Sequence, residues 1–332
     1  MAAPLILRAT KKSGSNKPIL GEGEHTYEAT HDWGELPPDI EYGNTHGFCV
    51  DSQGHVYIHH TAYETSEKAD TMVVFDSNGK FVQSWGKQFR GGAHGLFIRK
   101  EGSNEFLYLC DIQRGLVVKT TVEGEEVFTL GYPKEAEPYS KPGPDGKPLK
   151  YSPTNVAIAA NGDIYVGDGY GSSYINRYNS KGEYLHTFGG PGKDAGQLLC
   201  PHGLIVDERG PKPVLVVADR GNKRVQRFTL EGSHIDFVYG TPAPCNFDFY
   251  SNGDTVVPDL FARVTLMDRK NKVILNLGDD SQSDYMQTRK LSRDHFKPGK
   301  FVCPHGACFD HAGNIYVVEW VEVGRVSRLQ SV

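Results

Sequence analysis

The stretch Pro304-His305-Gly306-Ala307-Cys308-Phe309-Asp310-His311-Ala312-Gly313-Asn314-Ile315-Tyr316-Val317-Val318-Glu319 decides the fold. A histidine opens a short apolar run, a polar Gly-containing turn follows, and a second apolar run ends on an acid. Runs of this length, rich in Val, Ile, Tyr and Phe and broken by Gly and Asn, form hairpin strands. The pattern recurs as His46 to Val50, Asp51-Ser52-Gln53-Gly54 and Val56-Tyr57-Ile58. It recurs again as Asn155 to Ile158, Asn161-Gly162-Asp163 and Ile164 to Asp168. Each copy continues into a further hairpin, as in Thr71 to Asp76, Asn78-Gly79 and Phe81 to Gly86.

Four antiparallel strands per copy, repeated at a spacing of roughly 45 to 60 residues, predict an all-β chain folded as a six-bladed β-propeller. At about 50 residues per blade, six blades account for nearly all of the 332 residues. The last copy runs from His305 to Leu329 and lacks a fourth strand. Near the N-terminus, Tyr27-Glu28-Ala29-Thr30-His31-Asp32-Trp33-Gly34 reads like an outer strand. This N-terminal strand is expected to complete the sixth blade, making residues 1–40 an arm that closes the ring and 41–332 the propeller.

Aligning the copies places Thr45-His46-Gly47, Ala93-His94-Gly95, Pro201-His202-Gly203 and Pro304-His305-Gly306 in one register, with asparagine instead in Thr154-Asn155 and Cys245-Asn246. With 13 histidines in 332 residues, four hits in six equivalent slots is a chance event on the order of 1 in 10,000. A ring of imidazoles around one axis points to a divalent metal. His94, His202 and His305 come from alternate blades, about 120° apart, a three-ligand arrangement that leaves positions open for water or substrate. His46 breaks that symmetry and is either a fourth ligand or an acid/base group beside the site. Without a cation, neutral imidazoles lining a channel would point lone pairs at one another.

Strand parity puts the turns after the second strands around these histidines. They hold His60, Asp111, Asp168, Asp219, Asp259 and Glu319. The acids read as turn formers that bond nearby backbone N–H groups; His60 departs from the pattern and is a candidate catalytic residue. Two long connections, Tyr132 to Ser152 and Asp280 to Val302, fall on the same face and are expected to roof it.

A net charge of −5 with no basic stripe argues against nucleic acid as a partner. No apolar run approaches the roughly 20 residues of a membrane span. Met1 to Arg8 is too short and interrupted for a secretory signal, so the expected compartment is the cytoplasm. The six cysteines lack CxxC spacing and read as reduced and buried. The expected partner is a small-molecule substrate at the channel mouth.

The repeats resemble NHL repeats, and the chain from about residue 40 onward is similar to the lyase domain of peptidylglycine alpha-amidating enzymes. The segments that carry the resemblance are His94-Gly95-Leu96, Pro201-His202-Gly203-Leu204, Pro304-His305-Gly306, Tyr165-Val166-Gly167-Asp168-Gly169-Tyr170 and Val217-Ala218-Asp219-Arg220. The resemblance implies Zn2+ held by His94, His202 and His305, Tyr170 as proton acceptor, and Arg220 against developing negative charge. The implied outcome is non-hydrolytic C–N cleavage of a hydroxyglycine amide. The chain departs from that family at Thr61, where the family has a second arginine, at Gly306, where it has an acidic calcium ligand, and at Gly171, where it has cysteine. The alternatives are a propeller lactonase, a four-histidine Fe2+ oxygenase similar to carotenoid-cleaving enzymes, and a non-catalytic NHL binding scaffold.

Overall fold

A computed structural model describes residues 17–332. Its strands form six sheets in a ring, each an antiparallel meander. The first blade is Thr45–Val50, Val56–His60, Met72–Phe75 and Phe81–Trp85. The fifth is irregular, because its innermost strand is only Asp248–Phe249.

Period-2 alternation sends successive side chains of one strand to opposite faces, and in a propeller both faces are covered by neighbouring blades. Along Val56–His60 every residue is buried. Val56 and Ile58 pack toward blade six with Tyr316 and Val318, while Tyr57 packs toward blade two with Leu107 and Leu109. The core is therefore a set of wedges between blades. Tight turns hold the hairpins: the Asp76 carboxylate accepts the Asn78 and Lys80 amides, and Gly79 takes φ 88°, a conformation costly for other residues.

The sixth blade combines Pro304–Phe309, Ile315–Glu319 and Arg325–Ser331 with the N-terminal strand His25–His31, which pairs antiparallel with Arg325–Ser331. The expected closing strand is thus present. It ends at His31 because Asp32 turns to φ 53°, after which the Trp33 ring packs edge-on against Phe75 and Tyr316. A fifth strand that the sequence reading did not anticipate, Ile19–Glu22, pairs outside it, with Leu20 buried beside Leu277 and Phe301. Within residues 1–40, Ile19–Glu22 and His25–His31 belong to the sixth sheet; Met1 to Arg8 lie outside the described residues. No helix among the described residues is long and apolar enough to cross a membrane.

Candidate metal centre

Each of the four histidines sits where its inner strand breaks register with the second strand. The shifts fall between Thr45 and Gly47, Ala93 and Leu96, Pro201 and Leu204, and Pro304 and Gly306. The strand beginning at Asn155 pairs without a shift. A bulge re-aims a side chain, and here it turns imidazoles to the axis. Ring centroids are 4.6 Å apart for His46–His305 and His202–His305, 4.7 Å for His46–His94, 4.8 Å for His94–His305 and 4.9 Å for His94–His202. All four are buried.

The glycine after each histidine has a physical reason. A Cβ on Gly95 would lie 2.4 Å from the Thr154 carbonyl oxygen, and one on Gly203 2.3 Å from that of Cys245. Those same carbonyls accept from the preceding histidines: His94 Nδ1 donates to Thr154 O at 2.7 Å and His202 Nδ1 to Cys245 O at 2.8 Å. His305 Nδ1 donates to His46 O at 3.1 Å. A carbonyl can only accept, so the proton is on Nδ1 and Nε2 carries the lone pair, the tautomer a metal ligand needs. His46 is oriented differently, with Nδ1 3.4 Å from His305 Nε2.

The Tyr170 hydroxyl lies between two of these nitrogens, 3.0 Å from His202 Nε2 and 3.3 Å from His94 Nε2. Arg220 Nη2 donates to the same oxygen at 3.1 Å and to Cys200 Sγ at 3.4 Å, and Nη1 donates to Cys245 Sγ at 3.6 Å. Burial lowers the His94 pKa to about 3. Burial, neighbouring imidazoles and Arg220 hold His46, His202 and His305 well below the usual histidine range. Burial raises Tyr170 to about 12, against the pull of the Arg220 cation. For Arg220 burial opposes the charge, but Cys245, Tyr170 and Cys200 outweigh it and raise its pKa.

Among the described residues, two donor groups bring their ligand atoms within 4.8 Å of one another: His46, His94 and His305, and His202, Cys245 and His305. Neutral, buried nitrogens with fixed tautomers and no proton to displace fit a divalent cation. The alternate-blade trio lies in the ring, but the tight groups divide it and share His305. Cys245 and Cys200 beside Arg220 were not singled out as site residues in the sequence reading; the available signal was the position of Cys245 immediately before a ring slot. His59, fully buried against Phe89, was also passed over.

The acids after the second strands hold loops. Asp168, Asp219, Asp259 and Glu319 accept the amides of Ser152, Leu199, Ala243 and Val302, each three residues before a ring position. Asp111 accepts the amides of Gln113 and Arg114. His60 occupies the equivalent slot in blade one, where its Nδ1 accepts the Ala62 amide at 3.1 Å and its ring meets Tyr42 edge-on at 4.9 Å. His60 thus lies one strand outward from the ring, its backbone paired with Thr45 and its Nδ1 held by the turn.

Both long connections are fastened beside the ring. Tyr139 of the first donates to Asp168 at 2.7 Å, and Ser152 O accepts the Tyr170 amide. From the second, which carries the short helix Tyr285–Thr288, Arg289 donates to Asn44 Oδ1 at 3.0 Å and stacks on Trp320 at 3.5 Å.

No family model matches the chain. The chain is 27% identical over 231 residues to a Caenorhabditis elegans protein named probable peptidyl-alpha-hydroxyglycine alpha-amidating lyase pgal-1, covering 64% of this chain and 63% of that one. It is 34% identical over 164 residues to peptidyl-alpha-hydroxyglycine alpha-amidating lyase 1 of Drosophila melanogaster, covering 46% of this chain and 28% of that one. Human NHL repeat-containing protein 3 is 28% identical over 199 residues, with 58% and 53% covered. The chain thus spans less than two thirds of the length of these curated relatives. Among solved structures, a Xanthomonas campestris gluconolactonase superposes with a TM-score of 0.61 at 13% identity, covering 98% of this chain and 99% of that one. A Staphylococcus aureus virginiamycin B lyase gives 0.58 at 14%, covering 92% and 100%. At such identities these two establish the propeller fold alone.

Proposed function

We propose that this propeller is a metal-dependent lyase acting on a hydroxylated small molecule at the mouth of its channel, of the carbinolamide type named in its amidating-lyase relatives. The observation that carries the reading is the Tyr170 hydroxyl between His202 Nε2 and His94 Nε2 with Arg220 donating to it. His94, His202 and His305 would hold the cation, most simply Zn2+, and His46 stands beside them. Bound there, a dication supplies Lewis acidity, making a coordinated hydroxyl easier to deprotonate.

Tyr170, having given up its own proton to solvent, would act as the phenolate and take the hydroxyl proton. As the C–O bond gains carbonyl character the C–N bond breaks, its electron pair moves to nitrogen, and the proton returns to form the amide. Arg220 prepares the phenol, because its cation favours the phenolate that burial disfavours. It also faces negative charge developing on the substrate. The buried surroundings keep water from competing.

A second reading is supported by His46. Its nitrogen groups with those of His94 and His305 within 4.8 Å, and a four-imidazole set would favour Fe2+ and oxygen chemistry over Zn2+.

Metal analysis of the purified protein against a His94→Ala/His202→Ala variant tests the proposal, together with turnover of an N-acyl-α-hydroxyglycine. Stoichiometric zinc lost in the variant, with glyoxylate released by the parent protein, is expected. Iron that also needs His46 would favour the second reading. No bound metal after reconstitution would overturn both.

A further inference from the structure

A large cavity lies away from the metal centre, at the opposite end of the inner strands. It has a volume of about 410 Å³ and is lined by the ring-position residue Asn246 and by residues downstream of the ring positions, from Phe48–Val50, Leu96–Ile98, Phe247–Ser251 and Ala307–His311. That volume suits a small organic ligand, for which pockets run from about 300 to 1,000 Å³. The short inner strand of blade five, Asp248–Phe249, forms one wall.

Its lining combines aromatic residues with two acids, Asp248 and Asp310. Phe97, Phe247, Phe249, Tyr250 and Phe309 line it together with Asp248. Asp248 Oδ2 accepts the Phe309 amide at 2.8 Å, and no described cation forms a salt bridge with it. Arg209, 3.9 Å over the Phe249 ring, is paired with Asp207. His311 donates to the Asp51 carbonyl at 3.0 Å. Asp310, the other acid of the lining, is occupied by the amides of Ala312 and Asn314.

The local field is negative. After burial itself, Asp51, Glu105 and Asp248 raise the Cys49 thiol, and Asp248 and Asp310 raise Cys308. Burial likewise lifts Asp248 to about 6, against the Phe309 and Phe249 amides. A carboxylate with spare acceptor capacity, aromatic faces and surrounding negative charge together favour an organic cation.

The geometry points to a second ligand site in this lower mouth, binding a small organic ammonium with an aromatic or branched apolar body, its charged head on Asp248 and its body against the phenylalanines. The site is independent of the metal centre.

Calorimetric titration with benzylammonium and its neutral counterpart benzyl alcohol tests this. Saturable one-to-one binding of benzylammonium is expected, roughly tenfold or more tighter than benzyl alcohol. Asp248→Asn keeps an acceptor for the Phe309 amide and should remove that preference. A Ser251→Trp variant, altered at an exposed lining residue, should block binding while melting like the parent. His94→Ala/His202→Ala should bind benzylammonium unchanged. No saturable binding, an undiminished preference in Asp248→Asn, binding retained in Ser251→Trp, or loss in the ring variant would each overturn the proposal.

Discussion

The Tyr170 hydroxyl and His202 Nε2 are 3.0 Å apart, and neither has the freedom its residue type usually offers. His202 has its proton fixed on Nδ1 by the Cys245 carbonyl, and the Tyr170 oxygen receives an Arg220 N–H. The phenol is therefore the proton carrier best placed against the imidazole ring. Tyr170→Phe should keep full metal content and an unchanged melting profile while turnover falls by about 10²–10⁴-fold. Undiminished turnover would remove Tyr170 from the chemistry.

Metal removal should be visible in stability as well as activity. A cation that binds only the folded ring stabilises by RT ln(1 + [L]/Kd), about 2.7 kcal/mol at a hundredfold excess over Kd. Dialysis against a chelator is expected to lower the thermal midpoint, readdition of zinc to restore it, and His94→Ala/His202→Ala to show neither effect. Equal shifts in parent and variant would place the cation elsewhere.

His60 should behave as a loop anchor. Removing the acceptor for the Ala62 amide in His60→Ala should cost about 1–3 kcal/mol in urea melts, with turnover per folded molecule preserved. His60→Asp, which places an acid where the other blades have one, should recover part of that loss. Turnover falling as it does in Tyr170→Phe would place His60 in the catalytic set.

The ring closure carries an acid-sensitive latch. His31 Nε2 accepts the Gly299 amide at 3.0 Å and Nδ1 lies 2.8 Å from Ser327 Oγ, so the neutral ring satisfies both contacts. Burial, then Arg325, lowers its pKa to about 3 from 6.5. Between those values the unfolded chain binds the proton and the fold does not, so stability is complete above pH 6.5 and is lost as pH falls toward 3. His31→Gln should reduce the slope of stability against pH between 6.5 and 5 by up to about 1.4 kcal/mol per unit. An unchanged slope in denaturant melts would refute the latch.

Glu319 and Arg325 form a fully buried ion pair, and Glu319 also receives the Val302 amide. Glu319→Gln leaves the guanidinium uncompensated and should destabilise by about 3–5 kcal/mol. A midpoint shift in denaturant near zero would show that the pair contributes nothing net.

Much of this was legible in the amino-acid order. Hairpin periodicity, the spacing of the copies and the incomplete last one specified a propeller closed by its own N-terminal strand, because burial on both faces of every blade demands repeated apolar runs. The four histidines were legible for the same reason: a repeat places equivalent residues at one radius. The His-Gly pairing was visible too, though its cause, a carbonyl from the next blade pressed against each glycine, belongs to packing between blades. Tertiary structure alone decided the rest. The tautomers, the turn of His46 toward His305, the thiols beside Arg220 and the anchoring of His60 all depend on which groups meet across blade boundaries. Asp248 became notable only when a short inner strand left a cavity beside it. Register fixes the radius and face of a side chain; its partners are fixed by distances between strands far apart in sequence.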